Sequence, residues 1–309
     1  MDAIVITGPT ASGKSELSFK LAELINGEII SADSAQVYRG LDIGTAKPEK
    51  FVQDKLKHHL LDIRDPSEIY TVANFRNDAL RTVLEIKGRG KVPIISGGTM
   101  LYLKALREGL ADLPAANPSV RERIEVEASR YGWEKIRKDL EVFDPIAAAR
   151  IKANDSQRLQ RAVEVYQLTG IPLSEHLRRE KTACPLKLFE IAIFPKDRGK
   201  LHKKIEQRFG KMLEKGFVEE VLRLKERDDL TEDLPALKSV GYRQIWHYLS
   251  NRFDRETMVV RVLAATRQLA KRQFTWLRGS KSIKFIENPD IDIVLRMLPV
   301  EIAKGNKYF

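Results

Sequence analysis

Gly8-Pro9-Thr10-Ala11-Ser12-Gly13-Lys14-Ser15 fills every position of the phosphate-cradling pattern G-x-x-x-x-G-K-[ST]. Just upstream, Ala3-Ile4-Val5-Ile6-Thr7 is a continuous β-prone run, the composition of a strand buried on both faces. Downstream, Leu17, Leu21, Leu24 and Ile25 recur at i, i+4, i+7 and i+8, the one-sided stripe of a helix packed on a sheet. A strand, a glycine loop and a helix therefore follow one another. Glycines let such a loop turn its N–H groups inward without Cβ clashes, and the positive end of the helix faces the same point. Lys14 brings a mobile charge to the terminal phosphates, and the Ser15 hydroxyl can join the shell of a Mg²⁺ ion. Residues 8–15 are thus expected to bind a phosphate ester, with its identity left open.

Working outward, Glu28-Ile29-Ile30-Ser31-Ala32-Asp33 reads as a second strand ending on a carboxylate, and Val92 to Thr99 as a third ending in a glycine turn. Strands alternating with helical patterns give the α/β class: a P-loop NTPase-like parallel sheet flanked by helices. Sites in such sheets lie at the carboxyl ends of strands, where the P-loop, Asp33 and Thr99 are expected to converge. From Ser119 to about Arg179 the pattern is helical, with breaks at Gly132, Asp144-Pro145 and Gly170-Ile171-Pro172. β-prone sequence resumes at Leu188 to Phe194, and Ile283 to Ile286 reads as a late strand. The expected organisation is a core begun by residues 1–112, an all-helical insertion over 113–187, and completion of the core by 188–309.

The 309 residues, 43% hydrophobic and 31% charged, describe a globular protein larger than one core usually serves. No run of about 18 apolar residues offers a membrane span. The first residues enter the P-loop strand directly, which leaves no room for a leader; the expected compartment is the cytoplasm. The lone Cys184 cannot form an internal disulfide, no Cys/His cluster has zinc spacing, and the adjacent His58 and His59 read as structural. Nothing resembles a coiled coil, so monomer is the default. The net charge of +11 suits a polyanionic partner, although charge speaks to association rather than fold.

Among candidate chemical groups, Asp33 stands beside the expected phosphate site, and its position leaves base, metal partner and helix cap open. Thr10 joins it in the catalytic set as a hydroxyl inside the loop; it could hold Asp33, the substrate or the turn. Arg208, Arg121 and Arg123 have only the default reading of solvated charges. In Asp155 to Arg161, Leu159, Val163 and Tyr166 fall on an inward stripe, while Arg158 and Arg161 share another side beside glutamines able to touch base edges or phosphates. Arg267, Lys271 and Arg278 run beside an apolar line of Leu263, Ala270, Phe274 and Leu277, with Trp276 nearby. Each basic segment reads equally as an RNA-binding ridge or a solvated face.

Together these segments resemble the bacterial tRNA dimethylallyltransferases, also called tRNA isopentenyl transferases, along nearly the whole chain. The resemblance rests on residues 8–15, Ser31 to Tyr38, Asp42 to Pro48, Leu61 to Pro66, Gly97 to Tyr102, Val240 to Gln244 and Thr266 to Gln273. It implies transfer of a dimethylallyl group from dimethylallyl diphosphate to N6 of the tRNA adenine on the 3′ side of the anticodon. It implies Asp33 as the base, Arg208 as a further cation on the departing diphosphate, and Mg²⁺ as cofactor. It places Asp33, Ser34, Ala35, Gln36, Thr99, Arg121, and Gln157, Arg158, Leu159, Gln160 and Arg161 against the tRNA. Gly241, Tyr242, Arg243, Gln244, Arg267 and Lys271 join that RNA set, and the helical insertion is expected to clamp the anticodon loop. Two other classes stay in view: a P-loop kinase of a nucleoside or small metabolite spending ATP, and a non-catalytic RNA-binding P-loop protein.

Overall fold

A computed structural model describes residues 1–179, 183–280 and 282–299. The part of the expected insertion at 180–182 and the C-terminal tail lie outside them. Among the described residues, six strands form one wholly parallel sheet in the order β3-β2-β4-β1-β5-β6. They are β1 (Ala3–Thr7), β2 (Gly27–Ser31), β3 (His58–His59), β4 (Val92–Gly97), β5 (Leu188–Ile193) and β6 (Lys284–Ile286). The α/β expectation holds, and β1 is central because its residues are buried on both faces. Ala3 and Val5 point into one core with Phe75, Ala79 and Val83; Ile4 and Ile6 point into the other with Leu17 and Leu21. That alternation is the period of a strand, and it makes a continuous apolar run necessary.

Among the described residues, the first compact unit comprises 1–107 and those from 184 onward. Its helices before the break are α1 (Lys14–Leu24), α2 (Lys50–Lys55), α3 (Val72–Gly88) and α4 (Met100–Glu108). α3 opens on a capping box in which Thr71 and Asn74 satisfy each other's backbone donors. The second unit, residues 108–183, contains α5 (Pro118–Tyr131), α6 (Trp133–Phe143), α7 (Pro145–Arg150), α8 (Ser156–Thr169) and α9 (Leu173–Arg178). It begins and ends a few residues before the expected 113 and 187, since the chain at 109–117 packs with the helices although it has no helical pattern of its own. Its core is Val120, Ile124, Ile136, Leu140, Leu159 and Val163, with Tyr166 stacked on Phe143 at 3.9 Å between centroids.

After the helical unit the first unit continues with α10 (Arg198–Glu214), α11 (Phe217–Lys225), α12 (Tyr242–Leu249), α13 (Arg255–Arg278) and α14 (Ile291–Met297). α10 and α13 meet through Leu201, Ile205, Ala270 and Phe274. The His pair is structural: His58 Nδ1 lies 2.7 Å from the Leu56 carbonyl, and His59 Nε2 lies 2.7 Å from the buried Glu28 carboxylate. No helix among the described residues is long and apolar enough to cross a membrane.

Candidate active site

The loop between β1 and α1 takes the shape that its glycines require. Gly13 sits at φ 91°, and a Cβ there would lie 2.9 Å from Pro289 Cγ; a Cβ on Gly8 would lie 2.8 Å from Ser12 Oγ. No side chain caps the start of α1, so its first N–H groups and the helix dipole face outward together. Ser12 Oγ is buried within the loop without a hydrogen-bond partner. A buried hydroxyl lacking a partner is costly, and an anion seated in the loop would supply the missing acceptor. Lys14 Nζ donates to the Pro9 carbonyl at 3.2 Å. Burial, then the nearby Arg208 charge, hold this ammonium at about 8 against a partial offset from Asp33. It is a cation short of negative charge.

The ends of β2 and β4 are laced together beside this loop. Gly97 has to be glycine, because a Cβ would fall 2.2 Å from the Ala32 carbonyl oxygen. Thr99 Oγ1 accepts from the Ser34 N–H at 2.9 Å and donates to Ser34 Oγ at 3.3 Å. Asp33 Oδ1 accepts from the Ala35 N–H at 2.9 Å, so one carboxylate oxygen fixes its own turn. Gln36 accepts from Ser31 Oγ and donates to the carbonyls of Thr45 and Ala46. These bonds use the side chains of Thr99 and Gln36 to set the turn that carries Asp33.

From α10, Arg208 reaches Thr10 Oγ1 at 3.5 Å and the Thr45 carbonyl at 3.4 Å. Burial lowers its guanidinium from the ordinary value, and Asp33 opposes the shift. From α13, Gln273 accepts from the Thr10 N–H and donates to the Gly98 carbonyl, each at 2.8 Å. That buried amide bridges the P-loop, the end of β4 and α13. Local sequence does not reveal it, since its partners lie 263 and 175 residues away.

Two cavities share this wall. One, of about 570 Å³, is lined by Ala11, Gly13, Lys14, Ser15, Lys204 and Lys211. The other, of about 420 Å³, is lined largely by Met100, Leu101, Ile205, Phe209, Met212, Val240 and Trp276. Thr10, Asp33, Gly98, Arg208 and Gln273 line both. A cationic chamber thus opens onto an apolar one across a carboxylate and a hydroxyl. Gly241 and Tyr242 also line the apolar chamber, but the Tyr242 hydroxyl donates at 2.5 Å to the buried Glu220. Gln244 accepts from the Gly241 N–H at the start of α12, and Arg243 is exposed.

For Mg²⁺, no group of three His, Cys, Asp or Glu among the described residues could hold a metal alone. Ser15 and Asp33, both lining the cationic chamber, fit an ion that takes most of its oxygens from phosphates and water.

In the helical unit, Glu164 is fully buried and gathers the arginines that the sequence left open. Arg121 forks onto it at 2.9 and 3.1 Å, Arg161 donates at 2.7 Å, and the Asn117 N–H donates at 2.8 Å. Burial pushes the carboxyl up, and these donors together outweigh burial and bring it below its usual range. Arg161 also donates to the Pro114 carbonyl. Arg158 pairs instead with Asp155 at 2.9 Å and stays 74% exposed, so it does not share a partner or setting with Arg161. Gln160 donates to Glu125 and to the Arg121 carbonyl; Gln157 is exposed; Leu159 is fully buried in the core. On α13, Arg267 pairs with Glu206, Arg278 lies 5.7 Å over the Phe194 ring, and Lys271 is exposed.

The family model described as IPP transferase matches residues 36–280. Among solved structures, the full-length tRNA isopentenylpyrophosphate transferase of Bacillus halodurans is 34% identical, covering 99% of this chain and 94% of that one at a TM-score of 0.68. The corresponding Staphylococcus epidermidis transferase is 32% identical, covering 98% and 99% of the two chains at a TM-score of 0.69. A eukaryotic dimethylallyltransferase acting on tRNA is 27% identical, covering 97% and 77% at a TM-score of 0.78. Matched over most of its length by the family and over nearly all of it by these transferases, the chain belongs to the IPP transferase family and is a prenyltransferase.

Proposed function

We propose that this prenyltransferase moves a dimethylallyl group from dimethylallyl diphosphate to N6 of the tRNA adenine on the 3′ side of the anticodon, releasing diphosphate. The observation that carries this reading is the shared wall: Asp33, Thr10 and Arg208 stand where a cationic chamber meets an apolar one. A diphosphate ester with a five-carbon tail needs that pair of environments, and an adenine must approach the same wall. The relatives are named for tRNA substrates, and the net charge of +11 matches a polyanionic acceptor.

As the allylic C–O bond breaks, positive charge spreads over the alkene and negative charge gathers on the departing diphosphate. The loop N–H groups, Lys14 and Arg208 receive that charge. Mg²⁺, held by Ser15 and the phosphates, would supply further charge neutralisation when bound. The adenine N6 lone pair forms the new C–N bond, and the proton it sheds passes to the free oxygen of Asp33. Thr10, tied to Arg208 and Gln273, keeps that cation at the wall. An adenine stacked in a loop has to be extruded to reach the chamber, and an unpaired loop is where extrusion costs least. The exposed Gln157 and Arg158 support a role for the helical unit as the clamp on the RNA, with Arg121 and Arg161 spent on Glu164 inside it.

The deciding experiment supplies tRNA with dimethylallyl diphosphate and, separately, with ATP. A five-carbon mass increase on adenine with the first donor is expected. ADP release with ATP and no isoprenoid on the RNA would refute the proposal in favour of a kinase, and no change with either donor would leave an RNA-binding protein.

A further inference from the structure

Two large apolar side chains stand exposed on the apolar chamber: Leu101 at 51% and Trp276 at 42%. An exposed Leu alone is ordinary, but a tryptophan and a leucine paired on one cavity wall mark a surface for a ligand. Trp276 belongs to none of the hydrophobic cores, whereas its neighbours Phe274 and Leu277 are buried and hold α13 in place. The ring is therefore presented by the helix without supporting it. The Lys104 ammonium lies 5.3 Å from the ring centroid. Arg272, one helical turn before Trp276, is exposed and lines the same chamber.

The geometry points to Trp276 as a stacking platform for the nucleobase next to the adenine that enters the chamber, with Arg272 beside the connecting phosphate. This inference rests on RNA being the acceptor. When one base leaves a stack for a chamber, the chain holds its neighbour at the mouth, where that neighbour has lost a stacking partner. An exposed indole at that mouth restores the lost contact, and it accepts any base because every base has a π face. A nearby cation and an arginine add the charge that the backbone calls for.

The test uses the full-length protein, an anticodon stem-loop with 2-aminopurine at the position flanking the target adenine, and the variants Trp276→Phe and Trp276→Leu. Binding to the unsubstituted protein should quench the 2-aminopurine. Trp276→Phe should keep part of the quenching, and Trp276→Leu should lose it. The KM for RNA should rise about ten- to a hundredfold in Trp276→Leu and less in Trp276→Phe, in step with the loss of quenching. Unaltered quenching and RNA affinity in Trp276→Leu, in an enzyme that still prenylates, would overturn the inference alone. So would a Trp276-dependent signal only when the probe occupies the target position. Failure of the acceptor assignment shows separately, as unsubstituted protein that prenylates no RNA, and it would remove the platform's ligand as well.

Discussion

Lys14 is held at about 8 because its ammonium is desolvated and lies near the charge of Arg208 from α10, with Asp33 returning only part of the loss. Its unfolded value is near 10.5, so between about 8 and about 10.5 the unfolded chain binds the extra proton and this group's contribution to stability rises with pH. Below about 8 the charged lysine is a standing cost to the free protein. A bound diphosphate reverses the relation: it supplies the missing negative charge, and the complex keeps the proton to higher pH. Donor affinity should therefore be level below about pH 8 and fall by up to about tenfold per unit above it, since the donor's own phosphate ionises near about 6. Lys14→Arg should bind without that fall, and titrating donor affinity from about pH 7 to about 9.5 distinguishes the two. A level profile in the unsubstituted enzyme would contradict the charge assignment. Asp33 offers a cleaner dissection, because one of its oxygens is already spent on the Ala35 N–H. Asp33→Asn keeps that acceptor and removes the base together with its charge. Both Asp33→Asn and Asp33→Ala should lower prenyl transfer at saturating substrates at least about a hundredfold, with RNA affinity little changed. Normal turnover by Asp33→Asn would end the assignment.

The loop from Asp42 to Lys47 is organised by a carboxylate that no local pattern discloses. Glu220 of α11 accepts from the N–H groups of Asp42, Ile43 and Gly44 and from the Tyr242 hydroxyl. Lys47 closes the other side by reaching Asp42, Asp62 and the Tyr38 carbonyl. The product of this network is the Thr45 carbonyl, held where Arg208 and Gln36 can donate to it. Glu220→Gln places a donor where only acceptors are wanted, so about 3 kcal/mol of stability should be lost in denaturant melts, against about 1 for Tyr242→Phe. The donor KM should rise with the first change as Arg208 loses its anchor. An undiminished melt for Glu220→Gln would show that the loop holds itself. Strand β1 was legible because burial on both faces demands an unbroken apolar run, β2, β4 and β5 because their β-branched and aromatic residues cluster even around Glu28 and Glu190, and the P-loop because phosphate binding demands its glycines. β3 was not, being two histidines that pair with β2 only at Ile29 and Ile30. Glu220 and Gln273 were invisible because their partners are brought near only by folding. Arg161 read as a surface cation for another reason: its partner Glu164 is only three residues on, but nothing local shows that this carboxylate is buried.

Across the whole molecule, the charge of +11 overstates what is ready to meet RNA. Arg121 and Arg161 are engaged by Glu164, and Arg267 by Glu206. Arg158 is exposed and pairs with the half-buried Asp155, and Lys271 and Arg272 are exposed on α13. The two groups of cations should therefore fail in different ways. Each phosphate contact to a single strand contributes about −0.7 to the slope of log affinity against log salt, so Lys271→Ala or Arg158→Ala should flatten that slope by nearly one contact and leave the melting curve alone. Arg161→Ala instead strands part of a buried carboxylate, and the protein should lose about 2 kcal/mol of stability as a result. Binding of the anticodon stem-loop across a salt series, paired with a melt of each variant, separates these outcomes. Should Arg161→Ala flatten the slope while melting like the unsubstituted protein, Glu164 would be a holder that releases its arginine to RNA. The helical unit would then carry its phosphate contact at Arg161 rather than at the exposed Arg158.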